Sequence, residues 1–526
     1  MIRQFLLQLF LILSFSYLCL AQESSQEGFK GFDKVIPTKA NKQLQTFVYF
    51  YQQNVAMNMF PENDFLKGQI VGRLFGGNTT TTSNSIKASY AEQRAIPFFV
   101  YSPNIFDGKA TLRASFEIDW TWGDVAYGTG GNTGSAISAD QVNIQTQNLE
   151  VEFVPFKYWT VNVGLQRMFD TPLDPYRTVF EKFTQTGYRL AFWGTDGVGV
   201  SVRRQTDYQK SKFGFYKLYE NNVELNDDVT LFELNHQATL LPKLNVGASL
   251  YYVKDRSAGK GGVSILGQGF SSPLENYNGT FYFPLGAQPY KGDIFWLGTY
   301  FGRNDDLVLD RYGLSGFLNY NFGNIRQKEL TSDQYKKTVS ISGIAANLKG
   351  TYRYGNTVND AVNVDLLYTS GDGNSTSDGK YNGVLTGNTW GAPGAIFVGS
   401  GAYILFPHGN VVNRFVAAVT DISNMGFGVT GGTINLSKDL IPNKLHSKIG
   451  VASALSNVAP VGGGNFMGWE MNGKIGYDFG AFLTVEAHAA YMGLGDFYNS
   501  KVVNGDVSTK PANPWVGFVC LKWLIF

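Results

Sequence analysis

Charged side chains recur at alternate positions in several short stretches of the sequence. Leu112–Trp120 has this pattern, and Met471–Phe479 repeats it. Because successive side chains of a strand point to opposite faces, the spacing predicts strands with one apolar and one charged face. Charged faces turned towards water can attract or repel ions and polar solutes. The candidate chemistry is therefore solute binding and ion selection.

If these strands surround a lumen, their charged faces meet inside it. The predicted lumen-facing residues are six basic and ten acidic ones: Arg94, Arg113, Arg203, Lys349, Arg353, Lys474, and Glu92, Glu117, Asp119, Glu150, Glu152, Glu233, Asp365, Glu470, Asp478, Glu486. The acidic excess predicts a modest preference for cations. The alternative is that these charges only hydrate the wall and pair across neighbouring strands.

The overall composition excludes several classes of protein. The chain of 526 residues carries 43 basic and 42 acidic residues, a net charge of +1, which argues against a nucleic-acid partner. With 61 glycines, a helical bundle is disfavoured. A hydrophobic content of 44% is too high for a disordered chain.

The first 21 residues have the features of a secretory signal peptide. Arg3 supplies a positive charge, Phe5–Leu13 is apolar, and Ala21 ends a cleavage-type sequence. Removal of this segment leaves Cys520 as the single cysteine, so the exported chain has no intramolecular disulfide.

Alternation alone does not separate a soluble sandwich from an outer-membrane barrel, but the connections do. Short turns such as Leu241–Lys243 and Ile441–Lys444 alternate with long polar stretches, and the chain ends on the aromatic Phe526. These features predict an all-β fold: a transmembrane antiparallel β-barrel of about eighteen strands with short periplasmic turns and long extracellular loops. The long loops are expected at 123–141, 170–195, 256–291 and 371–427.

The predicted barrel occupies residues 65–526, with its first strand near 66–76. The segment 22–64 is expected to precede it in the periplasm, and its apolar run Thr46–Tyr51 is read as an extra strand, a plug or a cap. The expected location is the outer membrane of a Gram-negative cell. The expected partners are outer-membrane lipids and lipopolysaccharide, the barrel-assembly machinery and small hydrophilic solutes, with no nucleic acid.

Three blocks of sequence resemble the alginate-export and related porin families. Gln147–Arg167 and Thr195–Val200 are similar to the strand–loop–strand order "V-G-R-Q" and "F-D-G-V" of those families. Tyr368–Asn374 is similar to their "Y-A-S-G-D-x-N" strand end, whereas Gln166-Arg167 reverses the Arg-Gln order. The resemblance implies a monomeric, eighteen-stranded barrel that conducts hydrophilic solutes.

No enzyme, catalytic residue, metal site or cofactor is expected. The four histidines, His236, His408, His446 and His488, fall in no Ser/His/Asp or metal-ligand motif. Asp372–Gly379 places oxygen ligands at alternate positions, but it lacks the distal glutamate of a calcium loop and is expected to be a plain loop.

A diffusion channel is the preferred function. The alternatives are an exporter of an acidic, alginate-like polysaccharide, a structural or adhesion barrel, and a barrel hydrolase. Five tryptophans near predicted strand ends are expected to form an interfacial girdle: Trp120, Trp122, Trp159, Trp515 and Trp523.

Overall fold

The computed structural model describes residues 43–61, 72–75, 80–122, 143–168, 195–219, 228–257, 289–304, 306–357, 359–385, 401–406, 416–419, 422–505 and 511–525. The expected signal peptide and Phe526 lie outside these ranges. Of the segment 22–64, which is expected to precede the barrel, only residues 43–61 are described.

Eighteen strands within the described ranges form one closed antiparallel ring. Each strand pairs with its neighbours along the chain, and the first strand also pairs with the last. The predicted fold class is confirmed. The strands are β1 Leu44–Met57, β2 Ala88–Tyr101, β3 Ala110–Trp122, β4 Asn143–Phe153, β5 Trp159–Met168, β6 Thr195–Gln205, β7 Gln209–Tyr219, β8 Val229–Leu241, β9 Leu244–Asp255, β10 Tyr290–Arg303, β11 Tyr312–Lys328, β12 Tyr335–Arg353, β13 Ala361–Thr369, β14 Val429–Ile441, β15 Leu445–Leu455, β16 Phe466–Asp478, β17 Leu483–Leu494 and β18 Trp515–Ile525.

The barrel begins earlier in the chain than the sequence analysis placed it. Strand β1 lies between β2 and β18, with Gln53 opposite both Glu92 and Cys520. The boundary at residue 65 is therefore wrong, and so is the predicted strand 66–76. Of that stretch, Gly72–Arg73 forms only a two-residue parallel pairing with Val416–Ala417. Of the three interpretations of the run 46–51, the extra strand is the one observed; apolar residues on both of its faces left the choice open.

The predicted asymmetry between the two barrel ends is confirmed. At one end, eight connections contain two to eight residues each, whereas the other end carries the long loops. In the tight turns, Lys243 (φ 62°) and Asn443 (φ 59°) adopt the left-handed conformation directly after a proline. In turn 304–311, hydrogen bonds from the Arg303 side chain and the Tyr312 amide lower the pKa of Asp310 to about 2.

The outer surface of the barrel is an apolar band. Leu348, Leu366 and Ile475 are exposed there, and the Met471 side chain is 58% exposed. Exposed apolar side chains on a closed barrel are the surface that faces lipid.

Aromatic residues border this band. Towards the long loops, the rings of Tyr252 and Phe295 stack at 4.5 Å, and those of Phe295 and Phe322 at 5.2 Å. Near the short turns, Trp159 and Trp523 are exposed, as expected for a girdle. Of the other predicted tryptophans, Trp120 and Trp515 are only half-buried, and the Trp122 side chain lies outside the described residues.

The inner face near the long loops is apolar rather than polar. Val253, Ile294, Trp296 and Ile325 point inwards and are buried in one apolar cluster. A wet lumen along the whole barrel, as the alternation suggested, is therefore wrong for this end. The reason is that neighbouring residues such as Ile294 and Phe295 are both apolar, so the strand has two apolar faces.

Helical structure is confined to short turns in the described residues. They are the 3-10 helices Asn104–Phe106 and Asp496–Asn499 and the α-helix Lys501–Asn504. No helix in this part of the chain is long and apolar enough to cross a membrane.

Candidate functional site

The segment Gly401–Phe406, called here the inserted segment, lies inside the barrel against β16. The backbone amides of Tyr403, Ile404 and Leu405 donate hydrogen bonds of 2.7, 2.9 and 2.7 Å to the Glu470 carboxylate. Asn472 donates a fourth, at 2.8 Å. Because Glu470 is fully buried, these donors take the place of water around its charge. Glu470 therefore anchors the inserted segment to the wall.

Two further loop segments pack beside the inserted segment. The amide of Val419 donates to the Leu405 carbonyl at 3.0 Å, and the amide of Leu74 donates to the Ala417 carbonyl at 2.8 Å. The Tyr403 hydroxyl lies 3.0 Å from Nδ1 of His488 on β17. The inserted segment and these two loop segments thus form an apolar layer that fills part of the barrel beside β16 and β17.

The same long loop, 370–428, also contacts the wall at β10 and β11. The Trp296 indole donates to the Leu385 carbonyl at 2.9 Å, and the Leu385 amide donates to Asn321 Oδ1 at 3.1 Å. Within the long loop expected at 371–427, Leu385 and Gly401–Phe406 therefore fold into the barrel, which the sequence had left open. Apolar residues such as Leu385 and Tyr403 gain burial by entering the barrel.

The acidic residues at the start of this loop cap turns. Asp372 accepts hydrogen bonds from the amides of Asn374, at 3.0 Å, and Asn382, at 2.7 Å. Asp378 accepts one from the Lys380 amide at 2.9 Å. These hydrogen bonds to turn amides explain why residues with side-chain oxygen atoms alternate in Asp372–Gly379.

A second group of inner residues, the Glu486 cluster, lies nearer the short turns. It consists of Glu486 with His446, His488, Lys474 and Lys522. His488 Nε2 lies 3.0 Å and Lys474 Nζ 2.9 Å from the carboxylate, which Lys522 also contacts. The Glu486 side chain is 4% exposed, whereas Lys474 and Lys522 are 25% and 22% exposed. The cluster therefore leaves its two lysine side chains, and not its carboxylate, partly exposed to water.

Glu486, His488 and Cys520 offer metal-type donor atoms within 4.8 Å of one another. The two lysines that contact the same carboxylate already compensate its charge and would repel a cation. The arrangement fits an anion-facing wall better than a metal centre.

A third group, the Glu152 cluster, joins β3, β4, β5 and β6. Arg113 binds Glu152 through two hydrogen bonds, of 2.8 and 3.1 Å. Arg203 donates to Glu152 at 2.9 Å and to Asn162 at 2.8 Å. Asn162 in turn donates to Glu150 at 3.0 Å. Two guanidinium groups balance two carboxylates, so the cluster is neutral and its side chains are held rigidly.

The remaining predicted acids on the inner face are mostly buried with local partners. Glu92 accepts from Gln53 at 2.6 Å, Asp365 accepts from Asn347 at 2.6 Å, and Glu233 pairs with Lys212 at 2.7 Å. Asp478 is only half-buried and lies 3.3 Å from His446. Glu117 and Asp119 belong to β3, but their side chains lie outside the described residues.

Several basic residues of the inner wall are less buried than most of the acidic ones, although Arg203 and Lys212 are themselves buried. Arg94, Lys349, Arg353 and Lys474 are all half-buried. The sequence analysis missed four basic residues on the same face, and a stricter reading of alternation in β7, β15 and β18 would have found them: Lys210, Lys212, Lys448 and Lys522. The acidic excess on which the expected cation preference depended is therefore absent from the water-facing part of the described wall.

One serine–histidine pair lies on the outer face. Ser211 Oγ is 2.8 Å from His236 Nδ1, and the neighbouring position in the register is Arg204. A guanidinium group there opposes the imidazolium that a hydrolase must form. The pair therefore does not support a barrel hydrolase.

Neither protein-family models nor curated proteins match the chain. Solved structures with a similar barrel include Pseudomonas aeruginosa OccK5 (OpdH), with 12% identity, a TM-score of 0.45 and coverage of 91% of this chain and 98% of that one. A BenF-like porin from Pseudomonas fluorescens Pf-5 has 11% identity and a TM-score of 0.46, and the match covers 91% of this chain and 98% of that one. Acinetobacter baumannii OccAB4 has 12% identity and a TM-score of 0.43, and the match covers 92% of this chain and 99% of that one. TM-scores below 0.5 carry no argument about function, and none of these comparisons supports the finer resemblance to alginate-export proteins.

Proposed function

We propose that the protein is an outer-membrane channel for small hydrophilic solutes, narrowed by its own loop 370–428. One observation carries the proposal: within a closed barrel with an apolar outer band, Lys474 and Lys522 remain partly exposed on the inner wall. Charges that reach water inside a lipid-facing barrel are expected of a conducting lumen and not of a solid core.

The exposed charges favour small anions as solutes. The carboxylates of Glu486 and Glu470 are buried beneath their partners, whereas the lysine side chains beside Glu486 are partly exposed. Export of an acidic polysaccharide would use the same lysines. It would also require a continuous wide path, which the packed inserted segment disfavours on its side of the barrel.

The proposal includes the location and partners inferred from sequence. The apolar outer band and its aromatic borders support insertion into an outer membrane, with lipids and lipopolysaccharide around the wall and the barrel-assembly machinery as the insertion partner. No catalytic role is part of the proposal.

Conductance of the purified full-length protein in planar bilayers tests the function. We expect discrete current steps and a reversal potential in a KCl gradient that favours chloride. The conductance of the Glu470→Ala variant, which lacks the anchor of the inserted segment, is measured in the same assay. If neither protein conducts while both remain folded, the barrel is structural and the proposal is wrong.

A further inference from the structure

The outer face of the barrel carries a group of basic residues just beyond the aromatic row towards the long loops. This outer basic cluster comprises Lys254, Arg256, Lys291, Arg326, Lys328 and Lys337, from β9, β10, β11, β12 and the loop after β9. Lys291, Arg326 and Lys337 are consecutive partners across three strands. Side chains in such a row lie about 5 Å apart, a spacing at which like charges repel.

Only part of this positive charge is compensated nearby. Asp293 is shared by Arg256, at 2.6 Å, and Arg326. Lys328 pairs at 2.7 Å with Asp333, whose side chain is almost fully exposed. Lys291 lies 4.2 Å above the Tyr335 ring and close enough to Arg256, Arg326 and Lys328 for their charges to oppose its own. Among the residues that the structure describes, the ion pairs of these six basic residues involve two carboxylates, Asp293 and Asp333, and the exposed Glu329 lies in the same turn as Asp333.

The depth of the outer basic cluster matches a lipid headgroup. Phe322 belongs to the aromatic row, and Arg326 lies four residues further along the same strand. Four residues of strand span about 13 Å, or about 10 Å along the membrane normal for a strand tilted by about 40°. Since aromatic girdles mark the membrane interface, the cations stand at the level of the headgroup phosphates.

We propose that the outer basic cluster binds the phosphate groups of a phosphorylated glycolipid in the outer leaflet. The guanidinium group of Arg326, 44% exposed, presents donors in the fork geometry that suits phosphate. Lys291 and Lys337 add point charges on either side. The acyl chains of the same lipid would lie along the aromatic row formed by Tyr252, Phe295 and Phe322. The site rests on the outer-membrane location proposed above, but it does not depend on whether the barrel conducts.

The test is native mass spectrometry of the detergent-solubilised full-length protein with a bisphosphorylated lipid A as the probe. We expect one glycolipid per barrel, and binding that is at least about tenfold weaker for the double variant Lys291→Gln/Arg326→Gln, since the loss of even one charge-assisted hydrogen bond contributes about a factor of ten. The control is Lys243→Gln/Arg311→Gln, which removes two basic residues at the opposite rim and should bind as the wild type does. The shift in electrophoretic mobility on heating shows that each barrel is folded, and Lys337→Gln alone replaces the double variant if that one fails to fold.

Two further probes separate the sources of binding. Dephosphorylated lipid A should bind at least tenfold more weakly, and equal binding would assign the affinity to acyl chains and overturn the proposal. Inorganic phosphate should compete only at far higher concentrations. Competition at equal concentration would show a free-anion site and not a lipid site, and equal binding by wild type and double variant would also overturn the proposal.

Discussion

The backbone amide of Leu405 donates a 2.7 Å hydrogen bond to the carboxylate of Glu470, and 65 residues separate the two along the chain. The contact joins an extracellular loop to the middle of the barrel wall. Glu470 accepts three of the backbone hydrogen bonds that hold the inserted segment against the wall.

Replacing Glu470 should therefore release the inserted segment. In Glu470→Gln one acceptor oxygen becomes a donor, so its hydrogen bonds are lost, and the bonds to the remaining oxygen lose their charge assistance and weaken by about 1 kcal/mol each. We expect a larger or noisier single-channel conductance. Asp365→Asn is the matched control, because Asp365 is equally buried on the inner face but bonds to Asn347 on the wall. Identical currents from the two variants would show that Glu470 does not position the loop.

Ion selectivity should respond to Lys474 and not to basic residues outside the lumen. Lys474→Gln removes a partly exposed inner cation while Lys522 still compensates Glu486. The expected result is a reversal potential in a KCl gradient that moves towards zero. Lys444→Gln, in the exposed turn between β14 and β15, should leave it unchanged. A wild-type channel that prefers cations would contradict the water-facing charge distribution described above.

The assignment of the lipid face can be tested at Met471, which is exposed at the middle of β16. Met471→Arg should lower the free energy of unfolding in lipid vesicles by about 2–4 kcal/mol, because a charge at the bilayer midplane is poorly solvated. Phe479→Arg, at the turn beyond the same strand, should cost only about 0–1 kcal/mol near the interface. Denaturant titration of both proteins measures the difference, and equal losses would mean that the outer face is misassigned.

Closure of the barrel by β1 predicts a specific cross-link. Gln53 is the register partner of Cys520, which is buried and has no disulfide partner among the described residues. Paired strand residues approach closely enough for a disulfide, so Gln53→Cys should form one with Cys520 on mild oxidation. The cross-linked chain should migrate faster on denaturing, non-reducing electrophoresis.

Gln52→Cys is the control for this cross-link, since position 52 pairs with Leu521 on the outer face. A disulfide from position 52, or none from position 53, would be inconsistent with the register between β1 and β18.

Most of the barrel could be predicted from the sequence because alternation and short turns are local signals. Seventeen of the eighteen predicted strands correspond to β2 to β18, and their bounds agree within about three residues except at β11, predicted at 311–322, which continues to Lys328. The first strand could not be separated from a plug or a cap because its inward side chains, such as Phe47 and Tyr51, are largely apolar and pack against other residues inside the barrel. A strand with two apolar faces has no period of two to detect.

The site was harder to predict than the fold. Alternation assigned Glu470 and Glu486 to the inner face, but it could not show that both are buried beneath other groups. Burial of Glu470 depends on Leu405 and its neighbours, which reach it from a distant part of the chain. Counting charges on one face therefore overestimated the acidity of the surface that water meets, since exposure is set by tertiary contacts.

The pairing of β1 with β18 also has a consequence for the order of assembly. Val48 lies opposite Ile525, so one of the earliest strands to be made must wait for one of the last before its backbone groups are satisfied. Until then the growing sheet has two open edges that can pair with other chains. Contacts between the ends of a chain also form slowly. Protection of these edges during export, rather than the stability of the finished ring, is therefore expected to limit the yield of this protein.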